Sequence, residues 1–188
     1  MIIIINVGYK IFNDNYERYK KIRTPISIKD IDDLRVGDKL LISGNIFTGR
    51  DAVLPKLKRK IIENKDKPKD KILVNLEGSV IMHTAVSDAG IAPTTSNKDE
   101  IESSIHLLSE AGVRIHIGKG SLSEKTVKSL KNQKSIFVVT PPIAALLTDS
   151  VKSKQIVDYE YEGIEAFFKL KVENIPGIVA IAHGKSIY

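Results

Sequence analysis

Residues 91–120, IAPTTSNKDEIESSIHLLSEAGVRIHIGKG, constrain the fold most, because they pass abruptly from helical to strand periodicity. Ile101, Ile105, Leu107 and Leu108 recur at helical spacing and supply a buried stripe. Gly112 suits the left-handed residue just past a helix end. Residues 113–117 then read as a short strand, and Gly118-Lys119-Gly120 turn out of it. At the front, Pro93 fixes its own φ and biases Ala92 towards an extended conformation, so Ser96 or Asn97 can cap the helix. The hydroxyl turn at Thr94, Thr95 and Ser96 and the glycine turn around Lys119 can each expose backbone N–H groups to an anion. On the residues alone an equal alternative stands, in which the first turn only caps and the second only turns.

The rest of the chain extends this alternation. After a strand and a charged segment in residues 1–25, read as an N-terminal arm, residues 26–188 read as one domain. Ser27 followed by Asp30 predicts a capping box on a short helix. Residues 39–47 predict two short strands broken at Gly44. Asp51 is expected to cap a helix over 52–64, with Pro55 in its first turn. Residues 65–71 read as an exposed loop, 72–74 and 79–83 as strands, and 84–90 as a loop. Beyond Gly120 a helix over 123–132 capped by Ser121 or Ser123 leads to an apolar strand over 135–140. Pro141 and Pro142 open a helix over 143–151, and strands are expected over 156–161, 166–172 and 178–182. Alternating strands and helices predict a mixed α/β domain.

Composition excludes several functions. The 188 residues include no cysteine, which removes disulfides and thiolate metal sites from this chain. His83, His106, His116 and His183 lack zinc-ligand spacing. The formal charge of +6 suits an anionic substrate, an acidic partner or nucleic acid. Few aromatics interleave with the basic residues, so nucleic acid is not the expected partner, although Lys56 to Lys71 form a basic run. The apolar opening MIIIINVGY is too short to span a membrane and has no charged leader, so a cytoplasmic protein is expected.

Six pieces occur in a meaningful order: TGRDA from Thr48, PTTS from Pro93, IGKG from Ile117, AALL from Ala144, YEYEGIEAFFKLKVENIP from Tyr159, and IVAIAHGKSIY at the end. From Ile28 to Tyr188 the chain resembles the β subunit, or C-terminal domain, of class I iron–sulfur fumarate hydratases and L(+)-tartrate dehydratases. The resemblance implies a swivelling β/β/α domain, with a mixed sheet flanked by helices. It implies a cysteine-bearing α subunit that holds a [4Fe–4S] cluster through three cysteines, with one iron open as a Lewis acid. It implies reversible hydration of fumarate to (S)-malate, a homodimer or heterotetramer, and a place in the tricarboxylic acid cycle.

The resemblance also implies site residues. Arg50 of TGRD matches a carboxylate-binding arginine, Lys119 of GKG an active-site lysine, and Thr94 of PTTS the threonine proposed as base, with Thr95 beside it. Lys98 stands where the family has a substrate-binding arginine and lacks the planar fork. Asp51 is expected to orient Arg50 or cap its helix. From chemistry alone Thr94 is equally a capping hydroxyl, while a surface ion pair for Arg50 and a solvated turn lysine for Lys119 are the lesser alternatives. The family histidine after TGRDAA is replaced by Leu54, its glycine pair before AAL by Pro141 and Pro142, and its tyrosine–glycine–proline piece by residues starting at His83. These departures leave open a tartrate-type diacid dehydratase or a non-catalytic binding module of the same fold.

Overall fold

The computed structural model describes residues 19–64, 74–92, 94 and 98–188. Among them the elements run β1 (Lys20–Arg23), α1 (Ile28–Asp32), β2 (Lys39–Thr48), α2 (Leu54–Glu63), β3 (Ser79–Met82), β4 (Val86–Ser87), β5 (Gly90–Ile91), α3 (Lys98–Glu110), β6 (Val113–Gly118), α4 (Glu124–Asn132), β7 (Ile136–Val139), α5 (Ala144–Asp149), β8 (Val151–Asp158), a 3₁₀ segment (Glu160–Glu165), β9 (Phe167–Ala182) and β10 (Lys185–Ser186). Strands β2, β3, β6 and β7 are parallel neighbours in that order. The long β9 runs antiparallel to both β2 and β7, so the pairings close into a ring. Closure of this kind removes free sheet edges.

Period-2 alternation decides what the ring encloses. Val80 and Met82 of β3, Ile115 and Ile117 of β6, and Ile136 and Val138 of β7 share one core with Ile42 and Ile46 of β2. The opposite parity packs under helices. Phe47 and Ile81 join Leu54, Leu57 and Ile61 of α2, while Phe137 and Ile181 join Ile101 and Ile105 of α3 and Leu130 of α4. The result is the expected α/β arrangement, a mixed sheet flanked by helices.

Several boundaries differ from expectation for identifiable reasons. Residues 39–47 form a single strand, because Gly44 (φ 108) is taken up by a bulge in the β2–β9 ladder. A Cβ there would collide with the Thr24 hydroxyl and press on its backbone nitrogen at 3.1 Å, so glycine suits that approach. The two strands expected over 166–172 and 178–182 are one, β9, despite Asn174, Pro176 and Gly177. Asn174 adopts φ 57, and its N–H donates to Ser43 Oγ at 3.0 Å, so the chain bends without losing a partner. The loop expected over 84–90 contains the β4–β5 hairpin. β8 begins five residues before the expected Ile156 and ends at Asp158, where Tyr159 turns left-handed (φ 58). The helix after Pro142 is shorter than expected, Ala144–Asp149.

Other readings hold. Ser27 and Asp30 make the full capping box, Ser123 accepts from the Thr126 N–H, and Gly112 ends α3 at φ 114. Of the expected arm, β1 pairs in parallel with β2. The opening strand, the loop at 65–71, Ile72 and Leu73 lie outside the described residues, as do Pro93, Thr95, Ser96 and Asn97. Val74 is a bend and belongs to no strand. No helix among the described residues is long and apolar enough to cross a membrane.

Candidate active site

In a parallel sheet, ligands are met where strands end at their carboxyl side. Here those ends are level. Thr48 pairs with Met82, Met82 with Ile117, and Ile117 with Val138. Two residues beyond each stand Arg50, Thr84, Lys119 and Thr140. Arg50 and Lys119 thus follow strands separated only by β3, roughly 10 Å centre to centre.

The third element arrives from the side. Only Ala111 and Gly112 separate α3 from β6, so the two run antiparallel. Thirteen helical residues and six strand residues each span about 20 Å. The amino end of α3, which starts at Lys98, therefore lies level with the carboxyl end of β6. Thr94 precedes that helix and is buried at 6% exposure. Its approach is fixed: Thr84 Oγ1 donates to the Ala92 carbonyl at 2.5 Å, and the Ala92 N–H donates to Ala85 at 3.0 Å. Fold topology thus carries Arg50, Thr94, Lys98 and Lys119 to one rim. Thr95 lies outside the described residues.

Arg50 and Lys119 are held differently. Lys119 is exposed and has no ion-pair partner among the described residues. Gly118 beside it could not be larger, since a Cβ would meet the Phe137 ring at 2.8 Å. Arg50 is gripped, and not by the expected residue. Glu165 Oε1 lies 2.7 Å from Nε and 2.5 Å from Nη2, and Oε2 accepts from the Ala52 N–H at 3.1 Å. The N-cap of α2 is Val53, without a side-chain capping bond, and the Arg50 carbonyl receives the N–H groups of Val53 and Leu54. Asp51 therefore does not occupy the cap position expected for it. Glu165 was not singled out from the sequence, although it lies inside the EGIEAFF piece; a separation of 115 residues hides the pairing.

The basic run loses part of its charge to the same segment. Lys56 pairs with Glu162, and Lys60 with Asp158 at 3.0 Å. A nucleic-acid reading gains nothing from these lysines.

Below the rim lies a group with no role in the sequence reading. His83 follows β3 and is wholly buried, its ring stacked on that of His116 at 5.5 Å and 10°. His116 exchanges a 2.9 Å hydrogen bond with Ser109, whereas neither nitrogen of His83 has a hydrogen-bond partner among the described residues. Burial pushes His83 down to about 4 and His116 well below its ordinary value, the latter also through His83. Both rings are neutral at pH 7.

Leu54, at the position of the family histidine, is fully buried against Leu57, Phe47 and Phe167. Restoring histidine there by Leu54→His is expected to cost roughly 2–4 kcal/mol of stability, because an imidazole without partners would enter a dry core. Chemical denaturation reads this directly; an unchanged midpoint would mean that position 54 reaches solvent.

Comparison with known proteins identifies the family. A family model described as Fumarase C-terminus matches residues 11–188, extending into the expected arm. The chain is 30% identical over 190 residues to a Geobacillus stearothermophilus protein named "Putative fumarate hydratase class I", covering 93% of this chain and 34% of that one. It is 34% identical over 176 residues to the Methanocaldococcus jannaschii "Putative L(+)-tartrate dehydratase subunit beta", covering 85% of this chain and 86% of the relative. It is 29% identical over 181 residues to the Escherichia coli K12 L(+)-tartrate dehydratase subunit beta, covering 89% and 86%. The chain thus spans about a third of its fumarase relative and most of the separate β subunits. With a family model covering nearly its whole length, the chain belongs to the Fumarase C-terminus family.

Proposed function

We propose that this chain is the β subunit of an iron–sulfur hydro-lyase that acts on a small dicarboxylate, with fumarate, hydrated to (S)-malate, as its substrate. The observation that carries the reading is the rim itself, where Arg50 and Lys119 follow register-matched strand ends beside the amino end of α3. A diacid needs a cation for each carboxylate, and an arginine and a lysine two strands apart supply them. Lys98 adds charge at the helix start, where the N-terminal dipole also favours anions. Thr94 and Thr95 stand at the same turn, and Thr94 is assigned to the proton on the carbon beside the carboxylate.

A [4Fe–4S] cluster does not fit this chain. It has no cysteine, and no group of three metal-ligating side chains occurs among the described residues. The cluster is therefore assigned to a cysteine-bearing α subunit, in a cytoplasmic complex. A second reading, a tartrate or related diacid dehydratase, is favoured by the tartrate-named β subunits, which match this chain over most of their length.

Anaerobic reconstitution with such an α subunit tests the proposal, using fumarate, malate and tartrate in turn. Turnover of fumarate supports the first reading, and turnover of tartrate alone supports the second. An assembled complex with an intact cluster that turns over no diacid would leave a binding module of the same fold.

A further inference from the structure

Glu165 takes Arg50 side-on. One carboxylate oxygen engages Nε and Nη2, and the other holds the Ala52 N–H. A guanidinium carries five N–H donors in a rigid plane. This grip uses the Nε–H as its hydrogen-bond donor, and Nη2 lies within ion-pair distance of the same oxygen. Nη1 has no hydrogen-bond or ion-pair partner among the described residues, so one of its hydrogens and the outward hydrogen of Nη2 remain as the end-on fork, which matches a carboxylate bidentately.

Two further observations bear on what the grip is for. The Arg50 and Glu165 side chains remain 25% and 22% exposed, so the pair is not sealed in the core. The segment that carries Glu165 is already anchored to α2 by Glu162 on Lys56 and Asp158 on Lys60. That segment therefore has contacts to α2 besides the Arg50–Glu165 pair. We propose that Glu165 is a positioning residue, which holds the Arg50 guanidinium with its end-on fork pre-oriented for a substrate carboxylate. This rests on the diacid reading of the rim. A free arginine must give up side-chain rotamer freedom when it binds, whereas a clamped one has already done so. The bond from Glu165 to the Ala52 N–H fixes the backbone of the same turn, so side chain and main chain are set together.

The test is a double-mutant cycle in the reconstituted complex, with an NMR readout on this chain. Glu165→Ala is expected to raise KM for the diacid at least tenfold with a smaller change in kcat, and Glu165→Gln, which keeps an acceptor, to fall between. In an Arg50→Ala background the Glu165→Ala effect should vanish, since the group being positioned is gone. An effect that persists there, or a KM unchanged by Glu165→Ala or Glu165→Gln, overturns the proposal. If the wild-type complex turns over no diacid, the functional reading has failed, and the positioning claim is decided by proton exchange at Arg50 Nε. Faster exchange in Glu165→Gln supports the clamp, and unchanged exchange removes it.

Discussion

Arg50→Ala is expected to lower kcat/KM for the diacid by roughly 10²–10³-fold. Two charge-assisted hydrogen bonds at about 1.5–3 kcal/mol each support an effect of this size even after partial compensation by neighbours. The loss should fall mainly on KM if the arginine grips the carboxylate equally before and during reaction. The fold should survive, because Arg50 lies beyond β2 at the rim and is a quarter exposed. It will not be untouched, since truncation leaves the Glu165 carboxylate, among the described residues, with only the Ala52 N–H. Arg50→Lys separates the two contributions. It keeps a cation near Glu165 but lacks the planar fork, so stability should return while kcat/KM stays low. Steady-state kinetics with a folded Arg50→Ala complex settle the matter, and kinetics indistinguishable from wild type would take Arg50 out of the site.

Local chemistry made much of this molecule legible in advance. Ser27 and Asp30, Ser123 and Gly112 announced helix ends because capping and left-handed residues act within a turn of the chain. The apolar run over 135–140 announced a strand covered on both faces, and 113–117 announced a short strand. What failed was long-range. Gly44 read as a break, and 173–177 were left outside the expected strands, yet Gly44 and Asn174 sit at a bulge where the partner strand absorbs the irregularity. The site divided in the same way. TGRD and GKG were visible as motifs, but that Arg50 and Lys119 end level depends on the Thr48–Met82–Ile117 register, which no local pattern encodes. Glu165 was hidden for the same reason: its partner lies on another strand's end.

Acidification is expected to weaken the fold well above the pH at which carboxylates titrate, because of His83 and His116. In the unfolded chain an imidazole takes up its proton near pH 6.5, but in the folded protein burial holds His83 to about 4. Between those values the unfolded state binds more protons, so stability is complete above about pH 6.5 and declines as pH falls through the window. For His83 alone the loss approaches 3 kcal/mol by pH 4 and about 2 kcal/mol by pH 5. His116 acts in the same direction, and a proton on either ring would face its stacked neighbour 5.5 Å away. Asp30 and Asp38 do not mimic this, since their carboxyls are held below the ordinary range and titrate only at lower pH. Urea midpoints at pH 7.5, 6 and 5 should therefore fall steadily for wild type. In His83→Leu, where an apolar side chain replaces a ring with no hydrogen-bond partner, the slope should shrink. A wild-type midpoint that stays level from pH 7.5 to 5 would show that these rings take up protons in the folded protein as readily as in the open chain.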